Sequence, residues 1–258
     1  GVDGCRYMLE EGLLDVAGSR PDWVYAIHVW SALDPCGTFS TKPGTVMASS
    51  DVAKVRIVGR GGHGSTPQRA ADPVPALAEV TTALQTMVTR RFDVQDPVVV
   101  TVGLLQAGTI ANVIPEDGRL EATLRAFSHE ARDRLIATIP QVVDGIAAAH
   151  GVTGEFSLVE QYPVTINDDA EADVVAETVT RLFGEERHLR WAHPLAGAED
   201  FSRLLLEAPG CFIGLSACPP ELDPATAPFN HSAYARFDDS VLDDGARLLA
   251  QLALDKLA

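Results

Sequence analysis

Arg119-Leu120-Glu121-Ala122-Thr123-Leu124-Arg125-Ala126 alternates apolar and polar residues without a break, the period of a strand with one buried face. Leu120, Ala122, Leu124 and Ala126 share one face, and Arg119, Glu121, Thr123 and Arg125 share the other. Upstream, Pro97 to Leu105 reads as a strand. Before it, Asp72-Pro73 starts a helix, with Asp as cap and Pro in the first turn, and Leu77, Val80, Leu84 and Met87 mark one face. Ala53, Val55 and Ile57 alternate with Lys54, Arg56 and Val58 in a further half-buried strand. Downstream, Leu135, Ile139, Val142 and Ile146 fall at helical spacing, the helix ends near Gly151, and Pro140 within it predicts a local kink. Phe156 and Leu158 mark a last strand. The order β-α-β-β-α-β is the split-βαβ, ferredoxin-like arrangement.

The flanks read differently. Gly4 to Leu14 predicts a short helix, and Trp23 to Trp30 a buried strand. After Tyr162-Pro163 come a helix over 170–183, a strand, a helix over 199–206, a strand over 211–215, a long polar loop and a final helix over 239–257. Alternating strand and helix is the pattern of an α/β layered domain. The expected fold is therefore α/β: a layered αβα domain from residues 1–47 and 166–258, with a βαββαβ domain inserted at 48–165.

Composition narrows the function. The 258 residues are 46% hydrophobic and 22% charged, enough for a proper core. Lys plus Arg is 20 against 36 Asp plus Glu, a formal charge of −16. Such a chain repels phosphate backbones and anionic lipid, so no nucleic-acid and no membrane partner is expected. The longest apolar run, Val98 to Leu105, is broken by Thr101 and Gly103, far below the ~18 residues of a span. Four scattered cysteines without C-x-x-C spacing read as reduced thiols in a cytoplasmic protein.

Gly59-Arg60-Gly61-Gly62-His63-Gly64 matches a dinucleotide-binding pattern, but its surroundings argue against that reading. A dinucleotide site needs the helix to open within the motif so that its N-terminus meets the pyrophosphate. Here Thr66-Pro67 intervenes, and the helix cap waits until Asp72.

Six stretches, in order and well spread, carry a resemblance. They are G-L-L-D with I-H-V-W (12–15, 27–30), K-P-G-T-V-M-A-S-S-D (42–51), G-R-G-G-H-G-S-T-P (59–67), A-N-V-I-P (111–115), G-A-E-D-F (197–201) and N-H-S-A-Y-A-R-F-D (230–238). Together they resemble the metal-dependent amidohydrolase and peptidase family that contains aminoacylases, hippurate hydrolases and indole-acetyl-amino-acid hydrolases. The resemblance implies an α/β catalytic domain with an inserted ferredoxin-like lid. It also implies a homodimer formed through that lid. The implied reaction hydrolyses N-acyl amino acids or small peptides with two divalent metal ions: zinc, manganese or cobalt.

Residue by residue, the resemblance makes His28 a ligand of one metal and His231 a ligand of the other. On the residues alone, His28 reads rather as a satisfied buried His and His231 as a surface one. His63 would donate a hydrogen bond to the developing oxyanion, reaching toward a dimer partner's site; otherwise it is an exposed turn His. Asn112 would contact substrate or oxyanion, or merely cap its own turn. Arg125 would grip the substrate carboxylate, or stand as a solvated surface Arg. Glu199 would line the pocket, with a helix-start carboxylate as an equal reading. His129 and His150 read as helix-end residues.

The chain opens with Gly1 rather than Met. The family's general base and at least three further ligands come from a C-x-x-H-type region and a Glu-Glu pair that find no counterpart in these residues. The catalytic layer is therefore expected to be incomplete here. The chain alone is expected to be an inactive fragment with at most two ligands.

Overall fold

The structure, a computed structural model, describes residues 3–257; the Gly1-Val2 end of the expected first helix region and Ala258 lie outside the described residues. In chain order the elements are α1 (Gly4–Glu10), β1 (Val24–Trp30), β2 (Phe39–Thr41), β3 (Gly44–Met47), β4 (Ser50–Val58), β5 (Gly62–His63), α2 (Pro73–Arg91), β6 (Val98–Ala107), β7 (Val113–Ile114) and β8 (Asp117–Ala126). There follow α3 (His129–His150), β9 (Thr153–Tyr162), β10 (Thr165–Asn167), α4 (Asp169–Phe183), β11 (His188–Arg190), α5 (Ser202–Leu205), β12 (Gly210–Ser216) and α6 (Leu242–Leu257). The chain is a mixed α/β protein. Among the described residues no helix is long and apolar enough to cross a membrane.

It divides into two compact units, one of residues 48–164 with 196–198, the other of residues 3–47, 165–195 and 199–257. In the first unit, β6-β8-β4-β9 form an antiparallel sheet, with Asp51 opposite Leu124 and Val58 opposite Asp117 in the central pair. Its core is the apolar face of the sheet under two helices: Val55, Ile57, Leu120 and Leu124 pack against Leu77, Leu84, Leu135 and Ile139. Asp72 caps α2 by accepting from Val74 N at 2.9 Å, and Ser128 caps α3 by accepting from Ala131 N at 3.0 Å. Gly151 closes α3 at φ 66°, a left-handed turn that glycine takes without strain. β5 and β7 form a small antiparallel ribbon.

The second unit holds a mixed sheet, β1-β12-β2-β11, and a two-stranded β3-β10 pair. β1 and β12 run parallel and are covered on both faces, so β12 is apolar or small and buried throughout. On one face Ile27, Ile213 and Leu215 pack with Val175 and Val179 of α4 and Leu248 and Leu252 of α6. On the other, Val24, Ala26 and Trp30 pack with Val46, Phe201 and Phe212.

Three local expectations change. The helix expected over 4–14 ends at Glu10, because Gly12 turns left-handed at φ 89° and a short 3-10 turn takes over. The helix expected over 199–206 shrinks to the four residues of α5. In α3 the buried stripe runs Ala131, Leu135, Ile139, Val143 and Ala147, a strict four-residue step. Val142 and Ile146 therefore flank the stripe rather than lead it. The helix continues through Pro140 to His150.

Candidate functional site

In β1 the period of two puts His28 on the same face as Val24, Ala26 and Trp30. Its ring stacks on Trp30 with centroids 4.1 Å apart and planes 17° from parallel, and Phe212 lies at 6.0 Å. His28 Nδ1 stands 3.0 Å from Val29 O. A carbonyl only accepts, so Nδ1 carries the hydrogen and the neutral ring keeps its lone pair on Nε2. Burial lowers the His28 pKa below its usual range, nearby His231 adds to that, and the bond to Val29 O opposes it. Neutral imidazole with one nitrogen tied to a backbone acceptor is the form a metal ligand takes.

His231 lies exposed in the long loop after β12, with φ at 72°, a left-handed conformation that costs a residue with a Cβ. The preceding residue fixes the loop. Asn230 Oδ1 accepts from Ser31 N at 2.8 Å and Ser31 Oγ at 3.0 Å, while Asn230 Nδ2 donates to Val29 O at 2.8 Å. Sequence reasoning quoted Asn230 inside a motif and gave it no role. The signal was there: Asn is the residue type whose short amide can bond backbone groups across a turn.

Glu199 behaves locally as a helix-start carboxylate. Its Oε1 accepts from Asp200 N at 3.0 Å and Phe201 N at 3.5 Å. Burial raises its pKa, with Asp200 adding to the rise.

In the other unit, His63 pairs opposite Val113 in the β5–β7 ribbon, and Gly64 N donates to Asn112 O at 2.9 Å. A Cβ on Gly64 would stand 3.2 Å from that carbonyl, so the glycine permits the approach. His63 Nδ1 accepts from Ser65 N at 3.2 Å and lies 2.8 Å from Ser65 Oγ. The neutral ring therefore carries its hydrogen on Nε2, the reverse of His28. Both His63 and Asn112 are exposed.

Arg125 stands half-buried on the polar face of β8, where its Nη1 makes a long 3.5 Å bond to Ser49 O. Burial lowers its pKa and the Asp51 charge opposes that. The ribbon follows the end of β4 at Val58, which pairs with Asp117, whereas Arg125 is eight residues further along β8. At about 3.4 Å per residue that step spans roughly 27 Å. The structure thus ties the loop that carries His231, through Asn230, to the end of the strand that carries His28, brings His63 beside Asn112, and sets Arg125 at the far end of the sheet from the ribbon.

His28 and His231 supply two nitrogen donors, which suits part of a zinc, manganese or cobalt centre. Among the described residues, no three or more His, Cys, Asp or Glu side chains gather as a metal-holding group.

Comparison with known proteins follows the same line. The model of peptidase family M20/M25/M40 matches residues 1–255. Thermostable carboxypeptidase 2 of Saccharolobus solfataricus is 31% identical over 98% of this chain and 62% of the relative. The hippurate hydrolase of Campylobacter jejuni is 33% identical over 100% of this chain and 64% of the relative. In structure, the chain resembles Bacillus subtilis YXEP, described as a dinuclear metal-binding peptidase of the M20 family. The TM-score is 0.78 at 27% identity, covering 99% of this chain and 62% of YXEP. The chain thus spans less than two thirds of the length of these relatives. It belongs to peptidase family M20/M25/M40.

Proposed function

We propose that this chain is the substrate-facing portion of a metal-dependent amidohydrolase that cleaves the amide bond of N-acyl amino acids. The observation that carries the reading is the His28–His231 pair, with the His28 Nε2 lone pair left for a ligand. His28 would hold one divalent ion and His231 the other. Bound zinc, manganese or cobalt lowers the pKa of water and polarises a carbonyl.

The chain's own residues do the rest. Arg125 offers a planar fork to the free carboxylate of the amino acid. His63 Nε2–H donates to the oxyanion as it develops, and Asn112 stands beside it as a second polar group. Residues 48–165 act as a ferredoxin-like lid. The roughly 27 Å that β8 runs from Asp117, just past the ribbon, to Arg125 supports a homodimer through that lid, one copy's ribbon serving the site that the other copy's Arg125 completes. Glu199 shapes the pocket wall through its helix-start turn. The carboxypeptidase relative, at similar identity to the hippurate hydrolase, favours a second reading as a carboxypeptidase. A peptide and an N-acyl amino acid both end in the carboxylate that Arg125 would grip.

With two imidazoles and no third metal-holding side chain gathered by them among the described residues, the 258-residue chain is expected to be inactive alone. The check is an assay of hippurate and dipeptide hydrolysis with added zinc, manganese or cobalt. No turnover above buffer is the expected result. Robust turnover would show that the general base lies within these residues and would overturn the fragment reading.

A further inference from the structure

Asn230 stands where the loop after β12 meets the end of β1. One amide side chain ties three backbone points together: the end of β1 at Val29 O, the turn after it at Ser31, and the loop whose next residue is His231. The Val29 carbonyl is the common acceptor, taking Asn230 Nδ2 at 2.8 Å and His28 Nδ1 at 3.0 Å. Ser31 Oγ sits between two acceptors that share its single hydrogen, Asn230 Oδ1 at 3.0 Å and Pro228 O at 2.9 Å. The clamp adjoins His231, which is held at φ 72°, an uncommon and mildly strained conformation for a residue with a Cβ.

We propose that Asn230 is the positioning residue of the two imidazoles, holding the Val29 carbonyl that orients His28 and the backbone that presents His231. The inference rests on the reading of His28 and His231 as metal ligands. Asn230 touches neither substrate nor metal in this account; it acts through its neighbours. Groups that orient a ligand in this way typically change metal affinity by about 10–100-fold when removed.

The experiment uses the whole 258-residue chain labelled with 15N-histidine, with zinc alone as the probe. In the wild type, zinc shifts the His28 and His231 imidazole signals, and the His28 Nδ1–H exchanges slowly with water. In Asn230→Ala the zinc concentration at half-shift is expected to rise about tenfold for both rings, and the His28 Nδ1–H to exchange at least about tenfold faster. The imidazole of His188, in the same unit with its Nε2 2.9 Å from Thr41 Oγ1, keeps its signals and reports that this unit is still folded. Half-shift and exchange within twofold of wild type would overturn the inference. Should Asn230→Ala unfold, Ser31→Ala removes the hydroxyl arm of the same clamp. It is expected to move both readouts in the same direction by a smaller amount, and no movement would overturn the inference. If wild-type His28 and His231 ignore zinc, the metal reading fails, while the exchange of the His28 Nδ1–H still decides whether Asn230 positions that ring.

Discussion

Asp51→Ala is expected to destabilise the unit of residues 48–164 by about 3–5 kcal/mol, the cost of leaving one partner of a buried ion pair uncompensated. Asp51 is 1% exposed, and its two oxygens accept from Arg132 Nε and Nη2, each at 2.8 Å. That bidentate fork is the strongest geometry a carboxylate and guanidinium can adopt. Gln161 N adds a longer contact at 3.4 Å. Arg132 retains Glu160 at 3.3 Å after the change, but Glu160 is exposed and compensates little. Chemical denaturation of the two proteins measures the difference. A loss below about 1 kcal/mol would mean that the pair behaves as a surface bridge. Replacing both partners together, Asp51→Leu with Arg132→Met, should recover most of the loss, because no charge is then stranded.

Gly214→Ala should cost about 1–3 kcal/mol and disturb His28 as well. Gly214 pairs with His28 in the β1–β12 register. A Cβ there would stand 2.3 Å from Trp30 Nε1 and 2.6 Å from Ser40 Oγ, distances no packed core accepts. Trp30 is 3% exposed and Ser40 is fully buried, so neither has room to retreat. The indole that must move is the one stacked on His28 at 4.1 Å. Gly103→Ala is the matched control, since a Cβ there meets nothing within 4 Å. Thermal melts should separate the two variants, and the His28 imidazole signals should shift in Gly214→Ala alone. Equal melting and unshifted signals in both would contradict the packing described for β1 and β12.

Much of the architecture is legible in the residues because periodicity and caps are local signals. The alternation from Arg119 to Ala126 is a half-buried strand, now seen over Asp117–Ala126. Asp72-Pro73 opens a helix because its cap and first turn need no distant partner. The failures lie where tertiary contacts decide. The 199–206 stretch has helical composition, yet Glu199 spends its carboxylate on two adjacent backbone N–H groups, and a single turn is left. Within the site, the resemblance singled out His28, His63, Asn112, Arg125, Glu199 and His231. The periodicity of the strands fixes which face Arg125 takes. The ring tautomers could not be read, because they depend on Val29 O in one case and Ser65 N in the other. Asn230 escaped notice because its partners lie about 200 positions away along the chain.

The central claim is that His28 and His231 are metal ligands and the other five histidines are not. Adding zinc to the 15N-histidine-labelled chain tests it most directly. The account predicts that the Nε2 signal of His28 and the imidazole of His231 shift together at concentrations that leave the other rings unmoved. It also predicts weak binding, since one nitrogen at each ion falls far short of the four ligands a closed zinc site uses. Shifts confined to His63, His129, His150, His188 or His193, or no shift at His28 and His231 at all, would contradict it.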